Sequence, residues 1–98
     1  MNQYGTALEA TSSCRSLKTV KVLLEQGADV NAQGGEYGNA LQAAACGKSL
    51  EIVDFLVQHG ADVNAQGGKY RNALQAAYDI GVNNIIQLLL KHGAIVQE

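Results

Sequence analysis

The chain has 98 residues, a formal net charge of −2, no proline and two cysteines. That length allows one small domain, and the scattered Lys and Arg residues argue against nucleic acid or an anionic membrane as partner. No apolar run approaches the roughly 18 residues of a membrane helix, no charged-then-apolar leader stands at the start, and Cys14 and Cys46 share no metal-type spacing. Two reduced thiols in a cytoplasmic protein are expected.

The chain repeats itself at a shift of 33 residues without a gap, aligning Tyr4, Tyr37 and Tyr70, then Leu8, Leu41 and Leu74, and Gly27, Gly60 and Gly93. Residues 28–44 and 61–77 differ only at Glu36/Lys69 and Gly38/Arg71. A fixed period of this size means a stacked array, in which each unit buries its apolar face on its neighbours. The whole of 1–98 reads as one domain, with units 4–36, 37–69 and 70–98.

The first unit opens on Thr6-Ala7-Leu8-Glu9, which reads as a capping box: a hydroxyl at the N-cap and a carboxylate three residues later. Asn39-Ala40-Leu41-Gln42 and Asn72-Ala73-Leu74-Gln75 are the amide version. Short alanine-rich helices are predicted over 7–13, 40–46 and 73–78, and second helices over 17–26, 50–59 and 83–92. In the middle unit Leu50, Val53, Leu56 and Val57 form an apolar stripe that Ile52 and Phe55 widen, so this helix should be buried over most of its girth. Gly27, Gly60 and Gly93 stand at the expected C-terminal stops, with His59 and His92 in the last turns. Between units, Ala-Asp-Val-Asn-Ala-Gln-Gly-Gly reads as an extended finger running into a turn.

These units resemble the ankyrin repeat, whose signature runs Gly-x-Thr-Pro-Leu-His, Ala-Ala, Leu-Leu-Leu and Gly-Ala-Asp-Val-Asn-Ala. The wording of the finger and cap is similar to ankyrin arrays of fungal NLR-like proteins that carry a nucleotide-binding module. The resemblance implies an all-α solenoid of three helix–turn–helix units with β-hairpin-like fingers. Alanine replaces the family's proline, Glu or Gln replaces its histidine, and its inter-helix glycine survives at Gly81 but is Arg15 and Lys48 in the earlier units.

The Gly-Gly turns lack any phosphate-loop motif, and the two histidines lie in different units with no nucleophile beside them. No catalysis, metal or cofactor is expected. The resemblance implies a concave groove of fingers and first helices that binds another protein. Carried over by position, its partner-binding residues are Gln33, Glu36, Gly38, Cys46, Gln66, Lys69, Arg71, Asp79 and Ile80. Tyr4, Tyr37 and Tyr70 read as finger-filling spacers rather than a binding stripe. The alternatives are a structural spacer, a self-associating sensor segment of a larger signalling protein, or a designed consensus scaffold. The last unit departs from the frame at Tyr78, Asn83 and Ile95, yet keeps Leu88, Leu89 and Leu90. Its end is therefore an incomplete cap, with end-to-end self-association or continuation of the array as the expectation.

Overall fold

A computed structural model describes residues 3–96. Among them six helices form three antiparallel pairs: α1 (Gln3–Ser13) with α2 (Leu17–Glu25), α3 (Ala40–Cys46) with α4 (Leu50–Gln58), and α5 (Ala73–Ile80) with α6 (Asn83–Lys91). The pairs stack in order, α1 on α3 on α5 and α2 on α4 on α6, into a body of 35 × 23 × 20 Å. The first helices can lie close together because their facing residues are small. Ser12, Ala43, Ala44, Ala45, Ala76 and Ala77 have no exposed surface. Leu8, Leu41 and Leu74 then point into the layer between first and second helices, where Val20, Val53, Ile86 and their neighbours meet them.

The asparagine caps form as the sequence predicts. Asn39 and Asn72 are extended, with φ of −161° and −153°, and their side chains accept from the N–H groups of Gln42 and Gln75. The Thr6 cap does not. Helix α1 starts at Gln3, so Thr6 lies inside it. No glycine-rich finger precedes this position among the described residues to impose extended backbone, and helical hydrogen bonding continues upstream. The second helices stop where expected: after α4, the Gly60 N–H bonds to the Val57 carbonyl and the Ala61 N–H to the Leu56 carbonyl, the paired bonds of a Schellman stop. Arg15 and Lys48 take left-handed φ of 64° and 60° where Gly81 takes 85°. Helix α4 is less enclosed than its sequence suggests. Ile52, Val53 and Leu56 are buried and Phe55 and Val57 half-buried, but Leu50 is 37% exposed because it starts the helix at the rim.

The expected β-hairpin-like fingers are loops. One isolated bridge, Gly34 to Gly38, is the only ladder element among the described residues. Each turn is closed by a single bond, Gly34 N–H to Gly38 carbonyl at 2.9 Å and Gly67 N–H to Arg71 carbonyl at 2.7 Å. The second finger lies directly on the first. A Cβ on Gly68 would fall 2.4 Å from the Tyr37 carbonyl carbon, and one on Gly38 would fall 2.7 Å from that of Gly67. Gly68→Ala is therefore expected to cost about 3 kcal/mol or more, the left-handed penalty plus overpacking against backbone that cannot yield. Gly60→Ala, also at positive φ but with nothing within 4 Å of its Cβ, should cost only about 1–2 kcal/mol. Urea unfolding of the two variants checks the difference.

Candidate functional site

The fingers are fixed to the first helices by the residues that replace the family's histidine. Gln42 is fully buried, and its Nε2 donates to the Gly67 carbonyl at 2.6 Å, so a bond from helix to finger survives the substitution. Gln75 instead donates to Asp79 on its own helix at 2.9 Å. Glu9, buried at 6% exposure, has no N–H to offer. Its carboxylate accepts from the Tyr37 N–H at 2.9 Å and fills the space left by Gly35, where a Cβ would lie 2.5 Å from Oε1. Desolvation raises the Glu9 pKa above its ordinary 4.5, and Glu36 adds to the rise, against the Tyr37 hydrogen bond. A carboxyl whose folded pKa is raised binds its proton more tightly in the fold than in the unfolded chain. Its contribution to stability therefore falls as pH rises from about 4.5 through the raised value. Glu9→Gln should raise the unfolding midpoint at pH 7, with the gain shrinking to nothing on acidification below 4.5. Paired urea titrations across pH measure this difference.

A second set of bonds ties the units at the opposite end of each finger. The Asn31 side chain donates to the Gly60 carbonyl and accepts from the Asp62 N–H, at 3.0 and 2.7 Å. Asn64 does the same to Gly93 and Ile95, at 3.1 and 2.8 Å. Asp29 and Asp62 each accept from the N–H two residues on, holding the bend.

On this frame the candidate partner-binding residues separate into distinct groups. Glu36, Lys69 and Asp79 are exposed and Cys46 is half-buried; Lys69, Tyr70, Glu36 and Asp79 act on the Cys46 thiol, and Glu36, Cys46, Lys69 and Tyr70 on Tyr37. The Lys69 Nζ lies 5.6 Å from the Tyr70 ring centre, and the Lys69 N–H bonds to the Glu36 carbonyl at 2.8 Å. Ile80 is half-buried at the end of α5. Gln33 and Gln66 are exposed, but their amides serve the fingers. With its amide turned so that both of its groups are satisfied, Gln33 donates to the Gly38 and Gln66 carbonyls at 3.1 and 3.3 Å, and Gln66 donates to the Asn64 carbonyl at 3.3 Å. Gly38 is buried under the second finger. Arg71 is exposed on the outer side of that finger at φ 79°. The Gly38/Arg71 difference thus follows from packing: a neighbouring finger covers one and not the other.

Two tyrosines join the cluster that the sequence reading treated as spacers. Tyr37 and Tyr70 are half-buried between finger and first helix, and desolvation, with Glu36 and Cys46 nearby, raises the Tyr37 pKa. Their recurrence at the period was the available signal, and it did not distinguish a spacer from a groove wall. The Tyr4 side chain lies outside the described residues. Desolvation also pushes the Cys46 thiol up, against Lys69 and hydrogen bonding from Tyr70, so it stays protonated at neutral pH. Among the described residues no group of three or more His, Cys, Asp or Glu side chains could hold a metal ion, and no helix is long and apolar enough to cross a membrane. An open depression of about 670 Å³ lies away from the fingers at the start of α4, between Arg15, Lys48, Leu50 and Leu88.

Alkylation should divide the two thiols. Exposed Cys14 reacts first, and Cys46 reacts slowly until the pH exceeds the ordinary thiol value. Mass-resolved iodoacetamide labelling from pH 7 to 10 checks the order.

Paired helices, Schellman stops and interlocked fingers at a fixed period define a helical repeat solenoid. Residues 41–98 match the family described as ankyrin repeats (3 copies), and residues 5–35 match the ankyrin repeat. The chain belongs to the ankyrin repeat family. No curated protein matches it.

Proposed function

We propose that residues 1–98 act as one ankyrin-repeat domain, with units 4–36, 37–69 and 70–98, and that it is a non-catalytic protein–protein interaction module. Ankyrin repeats are in general modules of that kind, and no nucleic acid, membrane or cofactor enters this reading. The observation that carries it is the cluster of Glu36, Tyr37, Cys46, Lys69, Tyr70 and Asp79. It sits on backbone that Gln42, Glu9 and the finger glycines hold rigid. Aromatic walls give contact area, and charges of both signs give register and selectivity. The partner is a protein segment of mixed charge that meets Lys69 with a carboxylate and lays an apolar side chain between Tyr37 and Tyr70. A cytoplasmic place in an NLR-like signalling protein fits the wording of the fingers, where the groove would read a partner for a larger sensor.

Peptides selected from a random display library against the full chain test the reading. Lys69→Glu and Tyr70→Ala should each weaken the selected peptides about tenfold or more, while Glu25→Lys on the outer helix layer leaves them unchanged. Melting temperatures should move little for Lys69→Glu, since Lys69 is exposed. Peptides indifferent to both groove substitutions would refute the assignment.

A further inference from the structure

We propose that the outer face of the third unit is closed to a further ankyrin unit, and that Arg71 and Tyr78 close it by steric exclusion. Two separate places in the fold carry the inference. The first is the finger. Gly38 faces the next finger so closely that a Cβ would lie 2.7–2.9 Å from the Gly67 and Gly68 backbone. Arg71 is its successor at the 33-residue period, and its backbone is the same, with φ of 79° against 83° and the same turn-closing hydrogen bond. A third finger stacked as the second stacks on the first would meet a real Cβ, and an arginine beyond it, where only hydrogen fits.

The second place is the first helix. Ser12 and Ala45 have no exposed surface, because the next unit covers them at a distance only a small side chain permits. The successor in α5 is Tyr78, which stands 47% exposed. A phenol ring at that position holds a following helix away from the contact that α3 makes on α1 and α5 makes on α3. The Gln75 amide, whose counterpart in Gln42 holds the next finger, is turned onto Asp79.

This closure differs from a polar cap. Leu90, Ile95 and Val96 remain 37–63% exposed on the same unit, so the face is apolar in composition and excluded by shape. A head-to-tail contact between identical chains forms a ring where its rotation closes and a filament where it does not. Tyr78 therefore also stands against end-to-end stacking of a second copy in this register.

A chain extended at the period tests the proposal. A second copy of residues 66–98 is joined after Glu98, with Ile95→Asp and Gln97→Asn in every arm, so that the asparagine clamp is available at the junction. With Arg71 and Tyr78 kept, the appended unit should exchange its amide hydrogens like unfolded chain, and the melting temperature should match the unextended protein. With Arg71→Gly and Tyr78→Ala, the residues the second unit uses, the appended unit should become protected and the melting temperature should rise by several degrees. Protection with Arg71 and Tyr78 in place would overturn the proposal, and that arm needs no substitution at either position. Absence of protection in both arms would equally overturn the assignment to these two residues. The unextended double variant, followed by circular dichroism, shows that the third unit itself stays folded.

Discussion

Everything in this molecule depends on how closely one finger can lie on the next. Helix pairs alone would leave the fingers as unsupported loops, since each turn is closed by one backbone bond. Glycine at 38 and 68 removes the side chains that would separate them, and backbone meets backbone at contact distance. That approach brings the Gly67 carbonyl within reach of Gln42 and the Glu36 carbonyl within reach of the Lys69 N–H. The fixed finger spacing then places Tyr37 and Tyr70 against the first helices, and Cys46 and Asp79 beside them. The arrangement of these side chains is thus a consequence of the packing of glycine backbone, and its chemistry is hung on a frame that the glycines set.

The two forms of finger anchor show how one position meets the same need with different chemistry. Gln42 is an amide that donates to a carbonyl of the following finger. Glu9 can only accept while ionised, so it shifts its contact to the Tyr37 N–H and bears the cost of a buried charge. The first finger is held by a group whose ionisation strengthens its bond from the Tyr37 N–H but costs desolvation, and the second by one indifferent to pH. Stability along the array is therefore uneven, with the first inter-unit contact the more sensitive to conditions.

Much of the fold was legible because the period made each unit a control for the others. The helix pairs, the asparagine caps and the glycine stops all follow from local residue chemistry, which the structure leaves intact. Thr6-Ala7-Leu8-Glu9 misled because a hydroxyl followed by a carboxylate looks the same at a helix start and inside a helix. What decides is the backbone ahead of it. Glu36/Lys69 changes a solvent-facing side chain, whereas Gly38/Arg71 marks whether another finger lies above. A list of differing letters cannot separate those causes, since contact between units is absent from any one unit's sequence. The tyrosines were equally opaque, because recurrence at the period says that a residue is needed and not on which side it is needed.

The asparagine clamps have a mechanical consequence. Each interface is fastened near the helix stops by Asn31 or Asn64, and the first to second unit junction again at the finger turns, where the Lys69 N–H bonds to the Glu36 carbonyl. A joint pinned at two separated points cannot pivot on either one alone. The array should bend as a leaf spring does, with small strain spread along its length, until both pins of one joint fail together. Under tension, units would then leave one at a time in discrete steps, each step the length of one unit's chain.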